Sequence, residues 1–138
     1  MNSFRVRDFL PGGCFNEMGW DALNALSAED REAVLQAIFG KDGACFDYCR
    51  LPMGANDFAM SFYSSADVAG DFNLVNFNID RDRYILIPYI KAARQINPDL
   101  RIWASPWCPP PWMKTNNHYA SAVRPSGEKD VNGLLPHE

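Results

Sequence analysis

One short stretch of the chain, residues 103–115, concentrates side chains that suit sugar binding. It holds three of the four tryptophans and four of the ten prolines. Proline fixes φ and lacks an N–H donor, so the stretch is predicted to be a stiff loop in which Pro106 ends the preceding strand. Indole rings held in place can stack on a sugar ring or donate through their N–H without an ordering cost. The alternative is that Trp103, Trp107 and Trp112 fill a core, because tryptophan is highly buried on average.

The cysteines and histidines do not form a recognisable metal site. The cysteines lack C-x-x-C spacing, and only His118 and His137 could join them, so neither a metal nor another cofactor is expected. Cys45 and Cys49 are predicted to lie on one face of a strand as buried free thiols, and a disulfide is left open. The cysteines are Cys14, Cys45, Cys49 and Cys108.

Composition narrows the classes of partner. The chain has 138 residues, 47% of them hydrophobic, which suits one globular domain. Its net charge is −4 and its 13 basic residues are scattered, so no nucleic-acid or anionic-membrane partner is expected. No apolar run approaches the roughly 20 residues of a transmembrane helix. Residues 1–8 have no apolar signal core, so no compartment is assigned.

Strands and helices alternate along the chain and must position the tryptophan loop. A strand end is predicted at Gly12–Glu17, a second strand at Phe46–Leu51 closed by Pro52, and a third, buried strand at Leu100–Trp103. This order predicts an α/β fold with parallel strands and right-handed crossovers. The long loop from Met53 to about Asn78 exceeds the usual length of a connection, which indicates function.

Two helices are predicted between these strands. Ser27 suits an N-cap with Asp30 in the capping-box position, and Gly40 ends that helix. Its apolar stripe is predicted at Ala33, Val34, Ala37 and Ile38. The second helix opens at Asp80–Arg83, and Pro88 lies near its first turn or kinks it. Its apolar stripe comprises Leu86, Tyr89, Ile90, Ala93 and Ile96.

Five separated motifs in register resemble glycoside hydrolase family 30, which contains glucosylceramidases and related β-glycosidases. The resemblance covers roughly residues 12–117, and the combination is far more specific than any one motif. The motifs are Gly12–Glu17, Arg50–Phe58, Asn76-Phe77 with Ile79 and Arg81-Asp82, Ile87–Lys91, and Ala104–Trp107 with Trp112–Asn116.

The resemblance implies a (β/α)8 TIM barrel that hydrolyses β-glycosidic bonds with retention of configuration. Such a barrel takes about 250 residues, so this chain is expected to hold its first three β/α units, incomplete. Retaining chemistry uses two carboxyl groups about 5–5.5 Å apart. In the family these glutamates follow the fourth strand and lie near the seventh, beyond residue 138, so no catalytic residue is assigned here. Family members are often secreted, periplasmic or lysosomal.

The resemblance assigns binding roles to three residues. Asp57 matches an aspartate that accepts hydrogen bonds from sugar hydroxyls, and Trp107 matches the tryptophan of the same subsite. Arg50 matches an arginine that holds and charge-balances a catalytic carboxylate, a task that suits a guanidinium fork. The alternatives are a turn-capping role for Asp57 and a buried structural ion pair for Arg50.

Glu17 is expected to be structural. Asn16-Glu17 looks like the start of the family's acid/base motif, but Met18 replaces the proline of that motif. The pair also follows the first strand, where the resemblance places no catalytic acid. Lys114 and Asn116 match loop positions without an assigned role.

The ends of the chain depart from the family pattern, and both look cut. Residues 1–11 are interpreted as a remnant of an upstream segment, 12–117 as the partial barrel, and 118–138 as a polar tail. The leading hypothesis is a fragment of a retaining β-glycosidase that cleaves glucosylceramide or a β-glucan and is inactive without the missing remainder of the barrel. The alternatives are a non-catalytic sugar-binding module that uses Asp57 and Trp107, and a half-barrel completed by another chain.

Overall fold

A computed structural model describes residues 11–120 and shows an α/β fold. Two parallel strands alternate with helices, as the sequence predicts. The loop between the first strand and the third helix, residues 54–79, contains no helix or strand. The elements are α1 (Glu17–Asn24), α2 (Ala28–Phe39), β1 (Tyr48–Met53), α3 (Asp80–Tyr84), α4 (Leu86–Ile96), β2 (Arg101–Pro106) and a 3₁₀ turn (Pro111–Met113).

The two strands pair in parallel, from Tyr48 opposite Arg101 to Met53 opposite Pro106. The predicted strand at Gly12–Glu17 is reduced to an isolated bridge between Cys14 and Arg50. Arg50 N–H donates to Gly13 over 2.8 Å, and its carbonyl accepts from Phe15 over 2.9 Å. Gly12 is required here, because a Cβ would lie 1.7 Å from the carbonyl oxygen of Tyr48. The segment 11–15 therefore runs beside β1 on the side away from β2.

Each strand contains a proline, and one predicted boundary is corrected. Pro52 does not close the second strand, because β1 continues to Met53, whereas Pro106 is the last residue of β2, as predicted. The carbonyl of Met53 accepts from Trp107 N–H over 3.3 Å, so the ladder never needs a donor from Pro106. The nitrogen of Pro52 points to the same side of β1 as the N–H of Arg50. The last hydrogen bond between β1 and segment 11–15 is the one from Phe15 N–H to the carbonyl of Arg50, so Pro52 lies beyond the end of this pairing. Neither proline removes a bond that the sheet would otherwise make.

Side-chain caps start the first two helices. Asn16 Oδ1 accepts from Gly19 N–H over 2.7 Å at the start of α1, a cap that the sequence analysis did not identify. Ser27 caps α2 as predicted, since its hydroxyl accepts from Asp30 N–H over 3.1 Å. Gly40 ends α2 with an extended backbone, not the left-handed one typical of a glycine cap.

The predicted second helix is divided by a break at Ile85, where ψ is −71° and φ is −120°. Pro88 causes this break, because it has no N–H for the carbonyl of Tyr84 and its ring crowds that carbonyl. The result is a single turn, α3, followed by the regular helix α4. Pro88 thus lies in the first turn of α4, directly after the break, in agreement with the prediction that it lies near a first turn or kinks the helix.

The core lies on one face of the sheet, under α1, α2 and α4. The predicted stripe of α4 is confirmed by Leu86, Tyr89 and Ala93, which are buried. The predicted stripe of α2 is wrong for Ala33, Val34 and Ala37, which are exposed, although Ile38 packs against the core. Leu35 and Phe39 are the buried residues of that helix, because they carry more apolar surface at i, i+4 spacing than alanine and valine do.

The cysteines and the third strand also differ from expectation. All four cysteines are free, and Cys49 is buried in the core, but Cys45 lies outside β1 at a φ of +50° and is only half-buried. The third strand is not a buried one, since Trp103 is 43% exposed. Leu100, just before β2, is buried, whereas burial was expected along the whole predicted strand, residues 100–103.

The capping of α2 gives a direct test of this local structure. Ser27→Ala is expected to lower the free energy of unfolding by about 1 kcal/mol, because it leaves the N–H of Asp30 without its side-chain acceptor. Ser65→Ala is the matched control, since the Ser65 hydroxyl makes no hydrogen bond to a described residue. Urea denaturation followed by circular dichroism measures both. Equal effects of the two substitutions would contradict the assigned cap.

Candidate functional site

Arg50 lies at the centre of the sheet face opposite the core. Side chains alternate between faces along a strand, so Arg50 on β1 shares its face with Trp103 and Ser105 on β2. Its Nε donates to Ser105 Oγ over 2.7 Å. Its guanidinium carbon lies 5.2 Å from the ring centroid of Trp103 and 4.6 Å from that of Trp107. Two indoles and one hydroxyl therefore hold the cation by cation–π attraction and a hydrogen bond.

The two indoles beside Arg50 are largely accessible. Trp103 is 43% exposed and Trp107 is 37% exposed, so neither fills the core of the described residues. Arg50 and Trp103 also line a cavity of about 600 Å³, together with Tyr48 and the glycines of the 11–15 segment. This size lies within the range of small-ligand sites.

Arg50 forms no ion pair within residues 11–120. The salt bridges found there join Arg81 to Glu17 and Arg83 to Asp80. The alternative interpretation of Arg50 as half of a structural ion pair thus finds no partner in the described part of the chain. With one N–H engaged by Ser105, the guanidinium keeps donors for an anion.

Asp57 lies in the loop after β1 and is exposed. The turn there is capped by Asn56, whose Oδ1 accepts from Phe58 N–H over 3.0 Å, so Asp57 does not act as the cap. The phenol of Tyr119 hydrogen-bonds to the carbonyl of Ala55. Burial, followed by the nearby charges of Cys108 and Asp57, raises the pKa of Tyr119. The structure brings Arg50 and Trp107 into contact, whereas no described contact joins Asp57 to either of them.

Glu17 is the most heavily engaged carboxylate of the described residues and is 2% exposed. Its Oε1 accepts from Arg81 Nε over 2.6 Å, and its Oε2 accepts from Arg81 Nη2 over 2.7 Å. Oε2 also accepts from Met60 N–H over 2.6 Å. Arg81 in turn donates to Ser61 Oγ over 2.8 Å and lies 4.3 Å from the ring centroid of Tyr63. These contacts agree with the structural role expected for Glu17.

The pKa values around this pair are shifted by burial and by its charges. Burial alone raises the pKa of Glu17, but hydrogen bonds from Arg81 and Met60 and the charge of Arg81 outweigh it, so the pKa is lowered. Burial raises the pKa of Asp82, and the charge of Glu17 adds to that effect. The Tyr63 hydroxyl, 3.0 Å from Asp82 Oδ1, also has a raised pKa, mainly because of burial.

The remaining loop positions have structural contacts. Trp112 is half-buried and its Nε1 donates to the carbonyl of Ala66 over 2.8 Å. Lys114 is 7% exposed, and its Nζ donates to the carbonyls of Tyr119 and Ala120 over 2.8 and 2.6 Å. Asn116 Nδ2 donates to Ala120 as well. Residues 11–120 contain no cluster of three or more potential metal ligands and no helix long and apolar enough to span a bilayer.

Two partners in this site were missed from the sequence. Ser105 shares a face with Trp103 by strand alternation, a usable signal, but its contact with Arg50 depends on the register between β1 and β2. Arg81 stands within a quoted motif, yet its pairing with Glu17 spans 64 residues and has no local signature.

Comparison with known proteins places these residues in a family. Residues 7–131 match the model of the glycosyl hydrolase family 30 TIM-barrel domain. The chain is 36% identical over 114 residues to the lysosomal acid glucosylceramidase of Mus musculus and covers 81% of its own length and 22% of that protein. It is 32% identical over 108 residues to an endo-1,6-β-D-glucanase of Neurospora crassa, with 76% and 22% covered.

A solved structure agrees with these sequence matches. The crystal structure of SrfJ from Salmonella typhimurium superposes with a TM-score of 0.73 at 32% identity, over 80% of this chain and 25% of SrfJ. The chain spans 21–23% of the length of the curated relatives that it matches. The likeness therefore concerns a limited part of those proteins.

The Glu17–Arg81 pair generates a pH-dependent prediction. Glu17→Gln is expected to lower the free energy of unfolding by about 2 kcal/mol at pH 7, less than the roughly 3–5 kcal/mol of a fully buried pair, because Arg81 is 28% exposed. A lowered carboxyl pKa gives stability that is present above the unfolded pKa of about 4.3 and lost as the pH falls through the folded value. The difference between the parent chain and the variant should therefore shrink below about pH 4.

Urea denaturation from pH 7 to pH 3 measures this difference. Glu29→Gln is the matched control, because Glu29 is exposed on α2 and should change stability little at any pH. A Glu17→Gln difference that stays constant across this range would contradict the assigned ion pair.

Proposed function

This chain belongs to glycosyl hydrolase family 30, and we propose that it supplies the sugar-binding side of a retaining β-glycosidase site. Arg50 carries this proposal. It is a half-buried cation, held on two accessible indoles, whose carboxylate partner is absent from residues 11–120. An unpaired guanidinium in such a place suits a site that is completed by an anionic group from elsewhere.

The proposed architecture is the first three β/α units of a (β/α)8 barrel. Segment 11–15, β1 and β2 would be its first three strands, with α2 and α4 as the helices between them. The face that bears Arg50 and Trp103 would then turn toward the barrel interior. Asp57 and Trp107 would lie at the carboxyl ends of the strands, where barrel enzymes place their active sites. Their position on loops after β1 and β2 supports this arrangement.

Each binding residue has a distinct proposed role. The Asp57 carboxylate accepts hydrogen bonds from sugar hydroxyls, for which its exposure and the capping by Asn56 leave it available. Trp107 forms an aromatic wall of the same subsite, supported by its exposed ring. Arg50 is a positioning residue that hydrogen-bonds a catalytic carboxylate and balances its charge.

The two catalytic carboxyl groups are proposed to come from outside this chain, which would then be inactive alone. Retaining hydrolysis needs an acid/base and a nucleophile about 5–5.5 Å apart. Glu17 is a poor candidate for either, because both of its oxygens are engaged by Arg81 or Met60. The missing remainder of the barrel is thus the proposed partner, and a β-glucoside such as glucosylceramide or a β-glucan is the proposed substrate.

A chimera tests these roles. The matching residues of the mouse lysosomal acid glucosylceramidase would be replaced by those of this chain, and kcat/KM would be measured on an aryl β-glucoside. Arg50→Lys is expected to lower kcat/KM by about 100-fold through misplacement of the carboxylate. Asp57→Asn is expected to lower it about tenfold or more through loss of charge-assisted hydrogen bonds.

Matched controls are Arg94→Lys and Asp42→Asn, which change the same residue types at exposed positions remote from the site. Both should leave kcat/KM within about twofold of the parent chimera. An active chimera that is insensitive to Arg50→Lys and Asp57→Asn would refute the proposed roles. If the 138-residue chain alone hydrolysed the glucoside and Glu17→Gln abolished that activity, the proposal that both catalytic carboxyl groups come from outside this chain would be refuted.

The two alternative hypotheses give different outcomes. A self-standing sugar-binding module should melt cooperatively as a monomer and bind a glucoside through Asp57 and Trp107, with no role for those residues in a chimera. A half-barrel that assembles with a separate chain should regain activity when it is co-expressed with the missing segment.

A further inference from the structure

A thiol and an amine are in contact in the segment that follows β2. Lys114 Nζ lies 3.5 Å from Cys108 Sγ. Cys108 is a free cysteine and is half-buried, whereas Lys114 is buried with 7% of its surface exposed. The proposed function gives neither side chain a role, so their contact calls for a separate explanation.

The two side chains are held at the same backbone carbonyl. Lys114 Nζ donates to the carbonyls of Tyr119 and Ala120 over 2.8 and 2.6 Å. The Cys108 thiol donates to the same carbonyl of Tyr119. One oxygen atom therefore keeps the sulfur and the nitrogen side by side, and the two groups are already positioned to react with each other.

The chain between the two groups is stiff. Three prolines, residues 109–111, follow Cys108 directly, and the last of them opens the 3₁₀ turn. Lys114 N–H donates to the carbonyl of Pro111 over 3.0 Å. Trp112 in the same turn is attached to Ala66 through its Nε1. Because few torsions are free in this segment, the amine stays at a high effective concentration beside the sulfur.

A cysteine sulfur beside an amine has a defined chemistry under oxidation. Its thiolate attacks hydrogen peroxide, so that an S–O bond forms, the O–O bond breaks, hydroxide leaves and the sulfur becomes a sulfenic acid. A nitrogen nucleophile then attacks that sulfur, which forms an S–N bond and breaks the S–O bond, and the oxygen leaves as water. The product is a sulfenamide.

We propose that Cys108 and Lys114 form a sulfenamide cross-link between Sγ and Nζ when the protein meets hydrogen peroxide. One thiol, one neutral amine and one peroxide give the cross-link and two waters. The sulfur is oxidised by two electrons and the peroxide is reduced by two. The thiol proton and one amine proton end in the waters, and the third proton of the ammonium goes to solvent.

The cross-link changes this segment in two ways. It adds a covalent bond across residues 108–114, directly after Trp107. It also removes the charge of Lys114 and two of its three N–H donors, so Nζ can no longer donate to both the Tyr119 and the Ala120 carbonyls. An oxidant thereby alters the aromatic loop without touching a catalytic group. The inference is independent of the proposed function, because neither reacting atom belongs to the sugar site.

Tryptic mapping of the 138-residue chain tests the cross-link after peroxide treatment at about pH 8.5, near the ordinary pKa of a thiol. Trypsin cuts after a free lysine but not after one whose nitrogen is bonded to sulfur, and the flanking cut sites are Arg101 and Arg124. We expect residues 102–124 as a single peptide about 2 Da lighter than its sequence, because two hydrogens are lost. Dithiothreitol should restore the cut after Lys114.

Two outcomes of this mapping would overturn the proposal. In one, trypsin still cuts after Lys114 and Cys108 remains a free thiol. In the other, trypsin still cuts there and Cys108 has become a sulfinic acid. The same treatment in concentrated guanidinium chloride should give no cross-link, since the shared carbonyl no longer holds the two groups together. An equal yield in the denatured chain would contradict the structural basis of the proposal.

Substitutions identify the two reacting atoms. Lys114→Arg keeps the positive charge but not a nucleophilic amine, and Cys108→Ser lacks the sulfur, so each should abolish the cross-link. Lys91→Arg, at an exposed position of α4, and Cys45→Ser, at another half-buried free thiol, are the matched controls. Both should keep the yield within about twofold of the parent chain. A 2 Da loss that survives Lys114→Arg, or that disappears in Cys45→Ser, would assign the product to other residues and overturn the proposal.

Discussion

The buried carboxylate of Glu17 joins three parts of the chain that are far apart in sequence. It opens α1, accepts from Met60 in the loop after β1, and pairs with Arg81 in α3. The loop 54–79 has no helix or strand of its own, so this carboxylate is one of its main attachments to the core. Asp57, Phe62 and Tyr63 lie on that loop close to Met60. The shape of the proposed binding surface therefore depends on an ion pair that takes no part in the chemistry.

On the opposite face of the sheet, Arg50 has no ion-pair partner among residues 11–120. The core face is apolar and covered by helices, whereas Arg50 sits among indoles and a serine hydroxyl on the other face. Cation–π contacts keep the guanidinium in place without satisfying all its donors. A guanidinium with free donors in this position is better explained as a binding group for a carboxylate than as a group that stabilises residues 11–120. Glu17 is held in an ion pair with Arg81, and the catalytic pair of glutamates is proposed to come from outside this chain.

Features that depend on neighbouring residues could be predicted from the sequence, whereas contacts between residues far apart in the chain could not. The Ser27 cap, the α4 stripe and the effect of Pro88 are short-range patterns, and the structure confirms them. The α2 stripe was wrong because residue size, not only spacing, decides which face is buried. Pro52 was wrongly predicted to close the second strand, because a proline disrupts a strand only where the sheet needs its backbone N–H as a donor. The Arg50–Ser105 and Glu17–Arg81 contacts depend on register and loop folding, which no local pattern encodes. The roles of Asp57 and Trp107 stay predictions.

Arg50 is proposed to hydrogen-bond a catalytic carboxylate from the remainder of the barrel. A crystal structure of the active chimera with the mouse enzyme would measure this directly as the distance from the Arg50 guanidinium nitrogens to the nearest carboxylate oxygens. We expect charge-assisted hydrogen bonds of about 2.7–2.9 Å to a glutamate at the active centre, with Ser105 and Trp107 still in contact with Arg50. An Arg50 guanidinium that faces only water or a non-catalytic carboxylate in that structure would contradict it.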